Sequence, residues 1–123
     1  MSQWYTACSI DDLVAGSGVC ALINGQQVAI FYLPNEEQKI FAIDNYDPIG
    51  GANVLSRGIV GDVQQQLVVA SPLYKEHFNL RTGQCVEKPE YSVRVWPVQI
   101  VGASVQVQQP AASVRPLRAN SAR

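Results

Sequence analysis

At 123 residues, with 47% apolar and 15% charged side chains, the chain has the size and composition of one globular domain, and a disordered polymer is excluded. A formal net charge of -1 excludes the electrostatic footprint of a nucleic-acid binder. No apolar run approaches the roughly 18 residues of a membrane helix.

The amino terminus has neither a basic n-region nor an apolar h-region, so no secretory signal is expected. Trp4-Tyr5-Thr6-Ala7-Cys8 reads as a first strand. Ser9 follows as an N-cap with Asp11 and Asp12 in the first turn beyond it. Val19–Ile23 and Gln27–Leu33 flank Asn24-Gly25, a strong hairpin signal because both turn positions need positive φ. Lys39–Ile43 is a further strand. From Asp44 to Leu55 periodicity is lost, and Pro48, Gly50 and Gly51 predict a shaped loop. Gly58–Val63 is a short turn or strand, followed by three consecutive glutamines. Leu67–Ala70 leads into Ser71–Gly83, read as a Pro-containing loop, a short strand with Phe78 and Leu80 on one face, and a Thr82-Gly83 reversal. Ser92–Trp96 alternates and continues as Val98–Val101 beyond Pro97, which cannot donate to a ladder. Val105–Val107 closes the set. Many short strands with almost no helical period predict an all-β small barrel or sandwich over residues 1–109.

Residues 110–123 contain Arg115, Arg118 and Arg123 and no acid, so of the total of -1 they contribute +3 and the body carries -4. This composition predicts a disordered basic tail. Cys8, Cys20 and Cys85 are odd in number and scattered, which points to structural thiols in a cytoplasmic chain. Trp4 and Trp96 are expected on sheet faces or in the core.

The stretch from Ser71 to Gly83 resembles the second ligand loop of a Rieske iron–sulfur domain, C-P-x-H-x-x-x-F-x-L-x-T-G, with Ser71 and Tyr74 at the ligand positions. The loop after Asp44 resembles the first, with Asn45 and Asp47 where Cys and His would stand. The resemblance thus implies two protruding loops whose four cluster ligands are all replaced. A [2Fe–2S] cluster of this class needs thiolates and imidazoles, so none is expected in this chain. A hard cation held by oxygens is the alternative use of these four residues.

The order of W-Y-T-A-C-S-I-D-D-L, F-A-I-D-N-Y-D-P-I, V-L-S-R-G-I-V-G-D and V-A-S-P-L-Y-K-E-H-F-N-L-R-T-G-Q-C resembles the small subunits of bacterial NAD(P)H-dependent nitrite reductases. That resemblance implies an accessory, non-catalytic subunit in a cytoplasmic enzyme that reduces nitrite to ammonium. FAD, a [4Fe–4S] cluster and sirohaem are then expected on the large subunit, the implied partner. Nucleic-acid and membrane partners are not expected. Asp47, Arg57, Tyr74, Lys75 and His77 are the candidate contacts, because shaped loops on a rigid scaffold often carry binding. Ordinary turn chemistry and solvated charge are the plainer account of the same residues. A ferredoxin-type electron carrier and an unrelated β-barrel interaction module are the other functions considered.

Overall fold

The computed structural model describes residues 3–110, and in them the chain forms eleven short strands and two single-turn 3-10 helices. In order these are β1 (Trp4–Ser9), a turn at Ile10–Asp12, β2 (Gly18–Ile23), β3 (Gln26–Tyr32), β4 (Ile40–Asp44), β5 (Tyr46–Asp47) and β6 (Ala52–Asn53). A second turn at Leu55–Arg57 leads to β7 (Ile59–Val63), β8 (Gln66–Ala70), β9 (His77–Asn79), β10 (Val98–Val101) and β11 (Ser104–Gln108). All named strand pairs are antiparallel, in sheets ordered β1-β11-β10, β2-β3-β4 and β7-β8-β9, with β5-β6 as a two-stranded ribbon. The all-β expectation therefore holds. The expectation of a disordered tail over 110–123 falls, Pro110 apart, outside the described residues.

Local chemistry explains the connections. Ser9 Oγ accepts from the Asp11 N–H at 3.2 Å while the Asp12 carboxylate accepts from the Ser9 N–H at 2.9 Å, a reciprocal capping box. Asn24 and Gly25 sit at φ 51° and 77° and turn β2 into β3. Gln64 and Gln65, at φ 52° and 65°, make the same kind of turn between β7 and β8, a turn that a run of glutamines does not advertise. At the Thr82-Gly83 reversal, Asn79 Oδ1 accepts from the Arg81 and Thr82 N–H groups at 2.7 and 3.0 Å. Gly83 has φ 81°, and a Cβ there would lie 2.0 Å from the Val93 carbonyl oxygen, so only glycine fits.

The β2-β3-β4 sheet is the middle layer. Val28, Ala29, Ile30 and Phe31 of β3 are all fully buried, which a strand covered on one face only would not show. Ala29, Phe31, Phe41 and Ile43 pack on one side with Leu55, Val69, Phe78, Leu80 and Val93. Val28, Ile30, Ile40 and Ala42 pack on the other side with Trp96, Val105 and Val107. The segment Ser92–Trp96 keeps its alternation, since Val93 and Val95 face the first cluster and Trp96 the second. It is not a full strand: only the isolated bridges Gln84↔Ser92 and Ile43↔Val95 tie it to neighbours. Side chains complete its attachment. Asp44 Oδ2 accepts from the Arg94 backbone N–H and Nε at 3.1 and 3.0 Å, and Oδ1 from Trp96 Nε1 at 2.9 Å. Trp96 is thus core, and Trp4 is half-buried on the outer strand β1.

Candidate functional site

The loop between β4 and β7 and the loop between β8 and β9 converge; of the four substituted ligand positions, two hold them together and a third fixes the first loop. Asn45 is buried at the base of the first loop. Its Oδ1 accepts from the Ser56 N–H at 2.7 Å, and its Nδ2 donates to Gln27 Oε1 at 2.9 Å. Its carbonyl accepts from the Val54 and Leu55 N–H groups at 3.0 Å each. One residue therefore fixes both ends of the loop.

Asp47 is fully buried. Its Oδ1 accepts from the Ile49 and Gly50 N–H groups at 2.8 and 3.0 Å, an Asx-type turn dictated by Asp-Pro-Ile-Gly. Its Oδ2 accepts from Ser71 Oγ at 2.5 Å, and this bond joins the two loops. Ser71 is equally buried, and its Oγ in turn accepts from the Leu73 N–H at 3.3 Å. The second loop closes on itself through Ser71 N–H to the Glu76 carbonyl at 2.9 Å and Lys75 N–H to the Ser71 carbonyl at 3.0 Å. Lys75 takes the left-handed backbone, φ 68°, that this closure requires.

Tyr74 is the exception among the four, 67% exposed at the loop tip. Leu73 beside it and Tyr46 on the first loop are also exposed, at 41% and 48%. Gly50 and Gly51 lie between Leu73 and Tyr46. A Cβ on Gly50 would stand 2.3 Å from Leu73 Cδ1, and one on Gly51 would stand 3.7 Å from the Tyr46 hydroxyl. Among the described residues, Arg57 and Lys75 are the cations whose side chains make neither an ion pair nor a hydrogen bond. Arg81, Lys88 and Arg94 pair with Glu36, Glu76 and Asp44, and Lys39 Nζ donates to the Pro34 carbonyl.

The structure thus separates the expected contact residues. Arg57, Tyr74 and Lys75 are exposed. Asp47 faces inward and shapes the loop, so its side chain is withdrawn from the surface. His77 is half-buried and engaged: its Nδ1 lies 2.6 Å from Glu87 Oε2, and its N–H donates to Glu87 Oε1 at 2.8 Å. Burial pulls the Glu87 carboxyl up, but the His77 N–H and ring outweigh it and hold the group below its ordinary range. Tyr46, Leu73 and Glu87 were not singled out by the sequence. An apolar or aromatic residue in a proline-containing loop is the signal that marks the first two, since Leu73 follows Pro72 and Tyr46 stands two residues before Pro48. Burial pushes the Cys8, Cys20 and Cys85 thiols up, Cys8 also through Asp12, and such thiols are poor nucleophiles.

A Rieske-type cluster takes two thiolates and two imidazoles. The four positions here offer an amide, a carboxyl, a hydroxyl and a phenol, and the first three are engaged in hydrogen bonds that hold the loops. The residues do not fit that cluster. Among the described residues, no group of three or more His, Cys, Asp or Glu is placed to hold a metal ion.

Comparison with known proteins matches residues 3–108 to the model of the Rieske-like [2Fe-2S] domain. The chain is 46% identical over 108 residues to the nitrite reductase (NADH) small subunit of Salmonella typhimurium, covering 88% of this chain and 99% of that one. It is 36% identical over 104 residues to the nitrite reductase [NAD(P)H] large subunit of Klebsiella oxytoca, covering 85% of this chain and 11% of that much longer one. Among solved structures, the Escherichia coli protein NirD superposes with a TM-score of 0.80 at 43% identity, covering 89% of this chain and 98% of that chain. The chain belongs to the Rieske-like [2Fe-2S] domain family, among the small subunits of NADH nitrite reductase.

Proposed function

We propose that this chain is the accessory, non-catalytic small subunit of a cytoplasmic NAD(P)H-dependent nitrite reductase, docking on a large subunit that carries FAD, [4Fe–4S] and sirohaem and reduces nitrite to ammonium. The observation that carries the reading is end-to-end likeness to a nitrite reductase (NADH) small subunit, at 46% identity over 99% of that protein. A domain of the same kind occupies 11% of the Klebsiella oxytoca large subunit, so there the domain and the large subunit are covalently one molecule. A separate chain reproduces that arrangement by binding. The hard donor set in the two loops supports a role without electron transfer through this chain, because a cluster needs soft ligands.

The test is size-exclusion chromatography of the native protein from nitrite-grown cells, with flavin and sirohaem absorbance followed alongside this chain. Co-elution in a high-mass peak is the expected result. Elution as a small colourless protein overturns the subunit reading. Elution as a small coloured protein with stoichiometric iron would favour an electron carrier instead.

A further inference from the structure

We propose that the tip of the two joined loops is the surface by which this chain docks on the large subunit, with Leu73 and Tyr74 as anchors, Tyr46 on the adjoining loop, Lys75 as a charged rim and Arg57 as a second cation at the base of the first loop. The proposal rests on the subunit reading above and names the contact within it.

Three observations converge on this tip. The first is exposed apolar surface that spans both loops. Tyr46, Leu73 and Tyr74 are 48%, 41% and 67% exposed, and Gly50 and Gly51 bring Leu73 of the second loop and Tyr46 of the first together. Aromatic residues presented this way anchor interfaces, because they bury much area at little cost in side-chain freedom. The second is preorganisation. Asp47 and Ser71 tie the loops together, and Asn45 fixes the base of the first loop, so little order remains to be gained on binding. The third is charge. Lys75 at the tip of the second loop is unpaired among the described residues, as is Arg57 at the base of the first, whereas the body as a whole is acidic. The complementary surface on the large subunit is an apolar socket bordered by carboxylates.

The experiment is a binding titration of this chain against the flavin- and sirohaem-containing large subunit, at low and high salt. Leu73→Ala with Tyr74→Ala should weaken binding about 30-fold or more, the range of paired interface anchors. Arg57→Ala with Lys75→Ala should slow association several-fold at low salt and flatten its salt dependence, as rim charges do. Ile100→Ala, at an exposed apolar residue on β10, should bind within about two-fold of wild type, as residues outside an interface do. Wild-type-like binding by the Leu73/Tyr74 variant would overturn the tip assignment and leave the subunit reading standing. No binding by the wild-type chain would end both. Hydrogen exchange on the wild-type complex gives a readout free of any folding defect. Protection of residues 46–51 and 72–75 is expected, and protection confined to β10 would overturn the proposal.

Discussion

Ser71 and Asp47 show how much a single pair can carry at the residue scale. In a ligated domain of this fold the two loops are cross-linked through the cluster, and here a hydroxyl-to-carboxyl hydrogen bond of 2.5 Å joins them. Both groups are fully buried, so water cannot replace the bond once it is cut. Ser71→Ala should therefore cost about 1.5–3 kcal/mol, the usual range for a hydrogen bond to a charged group. Urea denaturation measures this, and an unchanged midpoint would show the bond to be idle. A second residue makes a pH prediction. The Glu87 carboxyl is held below its ordinary 4.5 despite its partial burial, because the His77 N–H and ring favour the ionised form. Folding is favoured by that ionisation at pH above 4.5, and the contribution disappears as pH falls through the lower, folded-state value. Wild type should thus be more stable than Glu87→Gln near neutrality, and the gap should close on the acid side of 4.5. The gap is small, since 41% of the Glu87 side chain is exposed and solvent screens the pair. Denaturation midpoints taken from pH 6 down to about pH 3, the span of carboxyl titration, follow the closure, and a gap that persists would contradict it. Neither role is legible in the sequence. An Asp in Asp-Pro-Ile-Gly declares a turn, but whether its carboxyl faces solvent is settled by a serine 24 residues later.

At the scale of elements, the two left-handed hairpins contrast directly. Asn24-Gly25 is readable because both residue types tolerate positive φ, and the β2–β3 turn lies where they stand. Gln64-Gln65 adopts the same geometry without that tolerance, imposed by the β7–β8 pairing on either side. Pairing register overrides local preference there, so the sequence shows only a polar run. The turn retains strain that a better residue pair would remove. Gln64→Asn with Gln65→Gly should raise stability by about 0.5–1 kcal/mol, because residues already suited to the native backbone remove that strain. For a domain of this size, that is a rise of a few degrees in Tm. Differential scanning calorimetry reads it directly, and an unchanged or lower Tm would mean that the glutamine side chains make compensating contacts. The segment Ser92–Trp96 errs the other way. Its alternation is real, but an alternating pattern reports which faces are buried and not whether a ladder partner is present. The Asp44 carboxyl, with Arg94 and Trp96, holds in place what strand pairing does not.

For the molecule as a whole, the fold class and family were readable from the order of the motifs, while the layering was not. A run such as Val-Ala-Ile-Phe is compatible with any strand buried on both faces, and only the placement of β8, β9 and β11 reveals what covers each face. Because β3 and β4 contribute side chains to both clusters, the two sides of the middle sheet should stand or fall together. Leu80 tests this, since it is fully buried in the cluster beneath the loops, and both tryptophans lie elsewhere: Trp96 in the opposite cluster and Trp4 on β1. Leu80→Ala should cost about 2–5 kcal/mol through the cavity it leaves. If the layers are coupled through the shared strands, the tryptophan fluorescence and the far-ultraviolet circular dichroism should shift to lower urea by the same amount, in one transition. A tryptophan transition that stayed at the wild-type midpoint while the circular dichroism moved would show two independent layers. The loops at the tip would then rest on half of the core rather than on all of it.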